Sequence, residues 1–438
     1  MSENVRASAA GTAVAARHYV LVCSVCGHRQ GDDGTVLECQ GDHAPALLRT
    51  EYRDRRFTPR AGAEGIFRYR DWLPVVAAGR SAGRSTVFRS RGLARALYVD
   101  ELWIAFNGYW PERGAALDTC TFKEFEAHTV LGRLPDDPWI LTVASSGNTG
   151  AAFAWAASQG RIPCLLVVPE KGLSRLRFRT ELDPCVTLVV IEDGDYPDAI
   201  DLAARLGRLP SFRLEGGVKN VGRRDGLATV MISAVEAMGR LPSHYFQAVG
   251  SGTGAIAALE AARRFMEAGI DGPLPRLMLC QNLPFTPILD AWQAEPEPLD
   301  RTPGHYREVL RQSCADELAN LAPPYAIGGG VRDSLVESAG DVLAADNAAV
   351  QEAMKLFLDT EGIDIEPAAG VAVACLADAA ARGRLDDGSV VLLNITGGGR
   401  SRLGTDHALI PATPRLRIPV GAVRHAETVE GIAALCDH

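Results

Sequence analysis

The chain has 438 residues but lacks any uninterrupted apolar run near the roughly 20 residues that a membrane-spanning helix needs. It also lacks a basic start followed by an apolar stretch, so residues 1–17, rich in Ala and Ser, predict a disordered tail rather than a secretory signal. Basic residues are in deficit, and the net charge of −9 argues against a general nucleic-acid-binding surface. We therefore expect a cytoplasmic protein with neither a membrane nor a nucleic-acid partner.

Clustered cysteine is equally scarce, because seven of the ten cysteines stand alone, which argues against a disulfide framework. The exception lies in residues 18–50. Cys23-x2-Cys26 and Cys39-x3-His43 are separated by 12 residues, which is close to a zinc-ribbon spacing. Bound zinc would be structural, since four protein ligands close the coordination sphere. Two alternatives stay open: a vestigial knuckle without metal, and His28 or Asp42 as a ligand.

What the chain does contain is an alternation of apolar strand patterns and helical patterns after residue 138. Such alternation indicates an α/β fold with parallel sheets. We expect a small Cys-containing knuckle at residues 18–50 and a larger α/β body at 51–438, with a smaller α/β subdomain at about 135–245 inserted in the larger domain. The strand patterns are 139–145, 163–170, 185–192, 244–250, 276–282 and 389–399, and the helical patterns are 148–160, 195–207, 254–269 and 368–383.

Polar and glycine residues follow three of the predicted strands, at the sheet edge where α/β proteins bind ligands. The first junction carries Ser145, Ser146, Asn148 and Thr149. Its hydroxyl groups and the free N–H groups of the following helix suit a carboxylate, and Asn148 can donate to a ring oxygen. An ordinary N-capping turn would have a similar composition.

The second junction alternates glycine with small hydroxyl residues: Gly250, Ser251, Gly252, Thr253 and Gly254. This pattern predicts a nest of N–H groups for a phosphate, with a tight turn as the alternative. It is neither a Walker A loop nor GxGxxG, which disfavours a nucleotide.

The third junction and one lysine complete the set. Thr396 precedes Gly397–Gly399 at a strand end, where a flat ring would meet the backbone. Lys123 follows Phe122 at the start of a predicted helix. Partial desolvation beside a phosphate would make this amine suitable as a Schiff-base lysine, although most lysines are simply solvated.

In order, Lys123, Ser146–Gly150, Gly250–Gly254 and Thr396 resemble the fold type II pyridoxal phosphate (PLP) enzymes, the class of the tryptophan synthase β-chain and threonine synthase. The resemblance implies a two-domain fold of this type. It also implies that Lys123 holds the cofactor, Asn148 contacts its ring hydroxyl, Gly250–Gly254 bind its phosphate and Thr396 faces the pyridine nitrogen.

Within this class the chain most resembles the cysteate synthase family, relatives of threonine synthase, through FNGYWPERGA, CTFKEFEAH, EGIDIEPAAGVA and LLNITGGG. That resemblance implies a β-replacement that converts O-phospho-L-serine and sulfite to L-cysteate and phosphate through an aminoacrylate intermediate. The substrate carboxylate would be held by Ser145, Ser146 and Thr149. The cations expected to bind the leaving phosphate or the incoming sulfite are Arg223, Arg224 and Lys171.

Other functions stay open at this point. Threonine synthase, or a synthase using sulfide or an amine, keeps the same cofactor loops. A zinc-ribbon binding protein on an inactive PLP-like scaffold is a non-enzyme alternative, against which the intact Lys123 and the three loops argue. A homodimer is expected, since it is the common assembly of soluble enzymes.

Overall fold

The computed structural model describes residues 17–76, 83–135, 139–294 and 303–436. The predicted disordered tail therefore lies outside the described residues, apart from its last residue. Arg17 is buried and donates hydrogen bonds to the Tyr19 hydroxyl and to the Arg133 carbonyl. This residue belongs to the folded unit that follows it.

The strands and helices of the described residues follow the chain in this order. The strands are β1 (Tyr19–Cys23), β2 (Arg29–Gln30), β3 (Leu48–Tyr52), β4 (Thr86–Arg89), β5 (Glu101–Phe106), β6 (Tyr109–Trp110), β7 (Ala115–Ala116), β8 (Ile140–Ala144), β9 (Cys164–Pro169), β10 (Arg177–Phe178), β11 (Val186–Glu192), β12 (Phe212–Leu214), β13 (His244–Ala248), β14 (Arg276–Asn282), β15 (Asp341–Ala345), β16 (Val390–Ile395), β17 (Ile410–Pro411) and β18 (Leu416–Pro419). The helices are α1 (Gly92–Leu97), α2 (Lys123–Arg133), α3 (Asn148–Gly160), α4 (Tyr196–Leu206), α5 (Val221–Met238), α6 (Thr253–Glu267), α7 (Pro287–Gln293), α8 (Pro303–Leu310), α9 (Val331–Glu337), α10 (Asn347–Glu361), α11 (Pro367–Ala381), α12 (Arg400–Asp406) and α13 (Ala426–Cys436).

Two largely parallel sheets organise the body. The six-stranded sheet has the order β15-β14-β13-β16-β5-β4, in which only the β4–β5 pair is antiparallel. The five-stranded sheet has the order β12-β8-β9-β11-β18, with every pair parallel. Central strands such as β9 and β16 are buried throughout and almost entirely apolar, as helices on both faces require. The α/β fold predicted from the sequence is confirmed.

The five-stranded sheet draws on two separated parts of the chain. Strands β8, β9, β11 and β12 come from residues 140–214, whereas β18 is supplied from Leu416–Pro419 and pairs with β11. This last strand lies outside the range 135–245 expected for the smaller subdomain. A four-residue strand that follows β12 after 201 intervening residues carries no local signal that would assign it to this sheet.

The N-terminal unit is a small antiparallel sheet, β2-β1-β3, that packs on the body through buried polar contacts. Arg133, the last residue of α2, donates to both carboxylate oxygens of Asp32 at 2.9 and 2.8 Å. Asp225 of α5 accepts hydrogen bonds from Thr50 and Tyr52 at 2.6 and 2.7 Å. The unit therefore contacts the two helices that contribute charged groups to the site described next.

Candidate active site

A cleft opens where strands of both sheets end. The residues that follow β8, β13 and β16 all line it, in agreement with the rule that parallel sheets bind ligands at their carboxyl edge. The structure brings most of the predicted site residues to this cleft. Those that line it are Lys123, Ser145, Ser146, Asn148, Thr149, Arg223, Gly250, Ser251, Gly252, Thr253, Gly254 and Thr396.

Lys123 is the first residue of α2, and its side chain is 24% exposed at the cleft. Its Nζ lies 3.4 Å from Oε2 of Glu126 and 5.0 Å from the centre of the Phe122 ring. Burial lowers the pKa of Lys123, and the Arg223 charge lowers it further, whereas Glu126 opposes the shift. A larger share of this amine is therefore unprotonated, and nucleophilic, than for a solvated lysine.

Backbone contacts hold the lysine segment beside the third junction. The N–H of Phe122 donates to the Thr396 carbonyl at 3.0 Å, and Thr121 forms an isolated bridge with Gly397. Residues separated by more than 270 positions are thus joined directly at the cleft. This pairing places Thr396 next to the start of α2.

Glu126 lies beneath Lys123, fully buried, and no sequence argument had selected it. Its Oε1 accepts hydrogen bonds from Arg223 at 2.8 Å and from the Thr149 hydroxyl at 3.1 Å. Arg223 also donates to the two oxygens of Glu215 at 2.8 and 2.5 Å. The two basic groups, Lys123 and Arg223, are therefore matched by two carboxylates, Glu126 and Glu215. The signal available in the sequence was the spacing of Lys123 and Glu126, three positions apart on a helix.

The first junction combines capping with an open polar edge. The Ser145 hydroxyl oxygen accepts hydrogen bonds from the backbone N–H groups of Gly147 and Gly150 at 3.0 and 2.7 Å. The capping alternative therefore holds for this residue, while the hydroxyl hydrogen stays available to donate. Because Thr149 is engaged by Glu126, the hydroxyls of Ser145 and Ser146 are the better placed donors.

The second junction forms the start of the 15-residue helix α6. Gly252 has a φ of +78°, a conformation that favours glycine, and a Cβ at Gly250 would lie 2.8 Å from the Leu318 carbonyl oxygen. The Ser251 and Thr253 hydroxyls lie 2.7 Å apart at the same turn. The first N–H groups of a helix have no partner within that helix, so this turn presents donors to an anion.

Asn148 is oriented by two charged residues from the opposite side of the cleft. Its Nδ2 donates to Oε2 of Glu366 at 2.8 Å, and Arg400 donates to the other oxygen of Glu366 at 2.6 Å and to Oδ1 of Asn148 at 3.4 Å. Glu366 precedes α11 within the EGIDIEPAAG motif and was not among the predicted site residues. Both contacts were missed because they depend on long-range packing.

Arg175 and Glu317 connect two short 3-10 helices, Glu170–Arg175 and Asp316–Leu318, at the cleft. Arg175 donates to Asp316 at 2.5 Å and lies 3.5 Å from Oε1 of Glu317. Burial, together with the Glu366 charge, raises the pKa of Glu317 to about 7, although Arg175 opposes the shift. This carboxyl group is therefore partly protonated at neutral pH.

Comparison with known proteins agrees with this geometry. The family described as "Pyridoxal-phosphate dependent enzyme" matches residues 82–397. The cysteate synthase of Methanosphaerula palustris is 45% identical over 92% of this chain and 95% of its own length, and that of Methanocella arvoryzae is 40% identical over 95% and 99%. The chain belongs to the cysteate synthase family of pyridoxal-phosphate dependent enzymes.

Solved structures of more distant proteins share the fold alone. Maize serine racemase matches with a TM-score of 0.55 at 16% identity, covering 73% of this chain and 89% of its own. Diaminopropionate ammonia lyase from Escherichia coli matches with a TM-score of 0.55 at 15% identity, covering 74% and 86%. As a pyridoxal-phosphate dependent enzyme, this cysteate synthase family member acts on small molecules.

The cleft fits the cofactor of the family. Besides the amine of Lys123 and the N–H groups at the start of α6, it contains two buried oxygens that have no hydrogen-bond partner within the described ranges, Oγ1 of Thr121 and Oε2 of Glu317. Buried polar atoms are nearly always paired, so orphaned oxygens in a cleft indicate a site that is completed by a ligand.

Two predicted substrate-binding residues do not reach the cleft. Arg224 is buried on another face of α5, where it contacts Glu260 at 3.2 Å and donates to the carbonyls of Val218 and Leu48. Neighbouring helix residues point about 100° apart, and here Arg223 faces the cleft whereas Arg224 faces Glu260. Lys171 lies exposed in the 3-10 helix after β9, outside the cleft lining.

The N-terminal unit of this cysteate synthase family member brings its four predicted ligands together. The ligand atoms of Cys23, Cys26, Cys39 and His43 all lie within 4.8 Å of one another. Cys23 Sγ is 3.4 Å from His43 Nε2, and Cys26 Sγ is 3.7 Å from Cys39 Sγ. These two shorter separations are close to the edge of a tetrahedron around zinc, about 3.8 Å for Zn–S bonds of about 2.3 Å.

The surroundings of the cluster suit a metal. His43 Nδ1 contacts the Ala44 carbonyl at 2.7 Å, which leaves Nε2 facing the sulfurs. Burial raises the pKa of Cys23, but hydrogen bonds from the backbone of Cys26 and Val25 outweigh it and lower the pKa to about 7. Neither His28 nor Asp42 belongs to the cluster found in the described residues. That zinc occupies the site stays a prediction.

No helix in the ranges 17–76, 83–135, 139–294 and 303–436 combines the length and apolar character that crossing a bilayer requires.

Proposed function

We propose that this chain catalyses a PLP-dependent β-replacement that converts O-phospho-L-serine and sulfite to L-cysteate and phosphate. The observation that carries the proposal is 45% identity with a cysteate synthase over 92% of the chain, combined with a partly buried lysine in a cleft rich in anion-binding groups. Lys123 would hold PLP, Asn148 would contact its ring hydroxyl, Gly250–Gly254 would bind its phosphate and Thr396 would face its ring nitrogen. When bound, PLP supplies a conjugated ring that withdraws electrons from the α-carbon of an amino acid.

Lys123 moves the α-proton of the substrate. Its lowered pKa leaves more of the released amine unprotonated, and so able to act as a base, than for a solvated lysine, and Glu126 at 3.4 Å stabilises the ammonium that forms. The same ammonium returns the proton to the α-carbon after the nucleophile has added. Glu126 is itself held by Arg223 and Thr149, so the acceptor does not move away during the cycle.

Thr396 influences which reaction follows. It carries a neutral hydroxyl where a carboxylate would enforce protonation of the ring nitrogen, so the electron demand at the α-carbon stays moderate. Loss of a β-substituent is then favoured over the long-lived carbanions that transamination needs. This argument supports β-replacement.

The substrate is positioned by neutral donors and by one buried cation. The hydroxyl groups of Ser145 and Ser146 face the cleft and donate to the α-carboxylate, and the N–H groups at the start of α3 add a favourable partial charge. Arg223 presents a guanidinium whose side chain is 11% exposed, held by Glu126 and Glu215. Its charge attracts the phosphate of O-phosphoserine or the incoming sulfite.

The experiment offers the purified holoenzyme O-phosphoserine or O-phosphohomoserine, each with sulfite, sulfide or water, and identifies the amino acid product by mass. We expect cysteate only from O-phosphoserine with sulfite, and none from the Lys123→Ala variant. Threonine from O-phosphohomoserine, without any sulfite-dependent product, would show that the enzyme is a threonine synthase instead.

We further propose that the Cys23, Cys26, Cys39 and His43 cluster binds one structural zinc ion, and that the enzyme is a cytoplasmic homodimer. The ligand geometry supports the zinc. The dimer rests on the prevalence of two-fold assemblies among soluble enzymes. Light scattering on the eluting protein would contradict it by giving a single-chain mass of 46.8 kDa.

A further inference from the structure

The proposed reaction raises a protonation problem at the leaving group, and the following inference rests on that proposed function. A serine phosphate carries a second pKa of about 6, so near neutral pH the substrate is mainly the dianion. If its bond to the β-carbon breaks without a proton, the product is the strongly basic phosphate trianion. A general acid that protonates the bridging oxygen instead releases hydrogen phosphate.

Glu317 has the position that such an acid needs. Its side chain is 8% exposed, and it lines the same cleft as Lys123 and the glycine turn at Gly250–Gly254. The next residue, Leu318, has its carbonyl directly against Gly250, so the Glu317 segment packs on that turn. Oε1 of Glu317 is 3.5 Å from Arg175, whereas Oε2 is buried and without a partner in the part of the chain that the structure describes.

The other carboxylate of the described cleft lining already has a hydrogen-bond partner on each oxygen. Glu366 accepts hydrogen bonds from Asn148 on one oxygen and from Arg400 on the other. Glu126, behind the lining, is engaged by Lys123, Arg223 and Thr149. Glu317 thus combines a raised pKa with an oxygen that no described group occupies. A bound dianion nearby would favour its protonated form further.

We propose that Glu317 is the general acid that protonates the departing phosphate. Lys123 takes the proton from the α-carbon, and the electron pair of that C–H bond forms a double bond between the α- and β-carbons. The bond from the β-carbon to oxygen breaks, its electron pair stays on the oxygen, and the proton on Oε2 of Glu317 moves to that oxygen.

The second half-reaction restores both groups. Bisulfite enters, the Glu317 carboxylate takes its proton, and the sulfur lone pair forms the bond to the β-carbon. Lys123 then returns its proton to the α-carbon. The reaction consumes one O-phosphoserine, whose phosphate group is a dianion, and one bisulfite. It releases one cysteate, whose sulfonate group is a monoanion, and one hydrogen phosphate dianion.

The test compares leaving groups in the holoenzyme. O-phosphoserine needs a proton to leave, whereas the chloride of β-chloroalanine does not. In Glu317→Gln we expect kcat for cysteate formation from O-phosphoserine to fall by about 10²-fold or more, as loss of a general acid does. With β-chloroalanine, chloride leaves without taking the Glu317 proton, and the sulfite dianion present near neutral pH adds without needing a base. We therefore expect the rate with β-chloroalanine and sulfite to stay within about threefold of wild type. Equal losses with both substrates, or no loss with either, would overturn the proposal.

Asp316→Asn is the matched control, because Asp316 is adjacent, exposed, bonded to the same Arg175 and outside the cleft lining. It should leave both rates unchanged. Retention of the cofactor absorption band and of the circular dichroism spectrum shows that Glu317→Gln is folded and loaded. Wild-type cysteate formation from O-phosphoserine tests the proposed function separately, so failure of the acid and failure of the function are distinguishable.

A second measurement does not depend on β-chloroalanine. A required acid with a pKa of about 7 makes kcat/KM of the wild type fall as the pH rises through that value. Glu317→Gln should lose this alkaline limb. If kcat/KM of the variant still falls with rising pH as in the wild type, another group causes that fall, and the role of Glu317 is contradicted.

Discussion

The N-terminal Cys/His cluster and the cleft both gather reactive side chains, but they are assembled in opposite ways. The cluster takes its four ligands from Cys23 to His43, and Cys26 is exposed. The cleft joins Lys123, Glu317 and Thr396 across most of the chain and buries their partners. The cluster is local in sequence and is predicted to be held by a zinc ion, whereas the packing of two sheets holds the cleft. We therefore expect the Cys/His cluster to stabilise the fold and the cleft to carry out the reaction.

The N-terminal unit contacts the helices behind the cleft, and two of these contacts are buried polar pairs. Asp32 binds Arg133 at the end of α2, while Lys123 is at the beginning of that helix. Thr50 and Tyr52 bind Asp225, which is two residues beyond Arg223 on α5. The N-terminal unit thus supports the helices behind the cleft without lining it.

Replacing Lys123 is expected to have the largest effect and tests the expectation that the cleft carries out the reaction. Lys123→Ala removes both the base and the attachment point for PLP, so we expect cysteate formation to fall by about 10³-fold or more and the visible absorption of the lysine-bound cofactor to disappear. Lys355→Ala, an exposed lysine on α10, is the control and should match wild type. A Lys123→Ala variant that keeps full activity would refute the assignment of the cleft.

The sequence predicted the parts of this cleft that depend on local pattern. The start of α3 at Asn148 and the glycine turn before α6 follow from strand, glycine and helix patterns that need no partner. Glu366 and Arg400, by contrast, have a role only because α11 and α12 pack against the start of α3. No local pattern distinguishes such residues from solvated surface charges.

The same limit explains the error at the adjacent arginines. The RRDG motif indicates two cations, but only the helical phase of α5 decides which one faces the cleft. Arg175 was missed for a related reason, because a short 3-10 helix after β9 carries it to Glu317. The residue types alone indicated positive charges at these positions. The directions in which the side chains point could be known only from the fold.

A matched pair of substitutions sharpens this distinction. Arg223→Lys keeps a positive charge but loses the paired hydrogen bonds to Glu215, so we expect kcat/KM for O-phosphoserine to fall roughly tenfold, mainly through KM. Arg224→Lys loses its contacts to Glu260 and two carbonyls. It should lower the free energy of unfolding by about 1–3 kcal/mol while leaving KM unchanged. Steady-state kinetics and denaturant unfolding measure both effects, and a KM increase in Arg224→Lys alone would reverse the assignment.

Removing the metal is expected to have the smallest catalytic effect and tests the structural half of the comparison. Chelation, or Cys39→Ser, should release about one zinc per chain and lower the thermal midpoint by roughly 5 °C, because the β2-β1-β3 unit loses its cross-link. We expect kcat and the cofactor spectrum to stay near wild type, since none of the four ligands lines the cleft. Cys185→Ser, a cysteine of the body outside the cluster, controls for the loss of a thiol. Loss of activity in parallel with the metal, at a temperature where the protein is still folded, would mean that Asp32 and Asp225 transmit the state of the knuckle to α2 and α5.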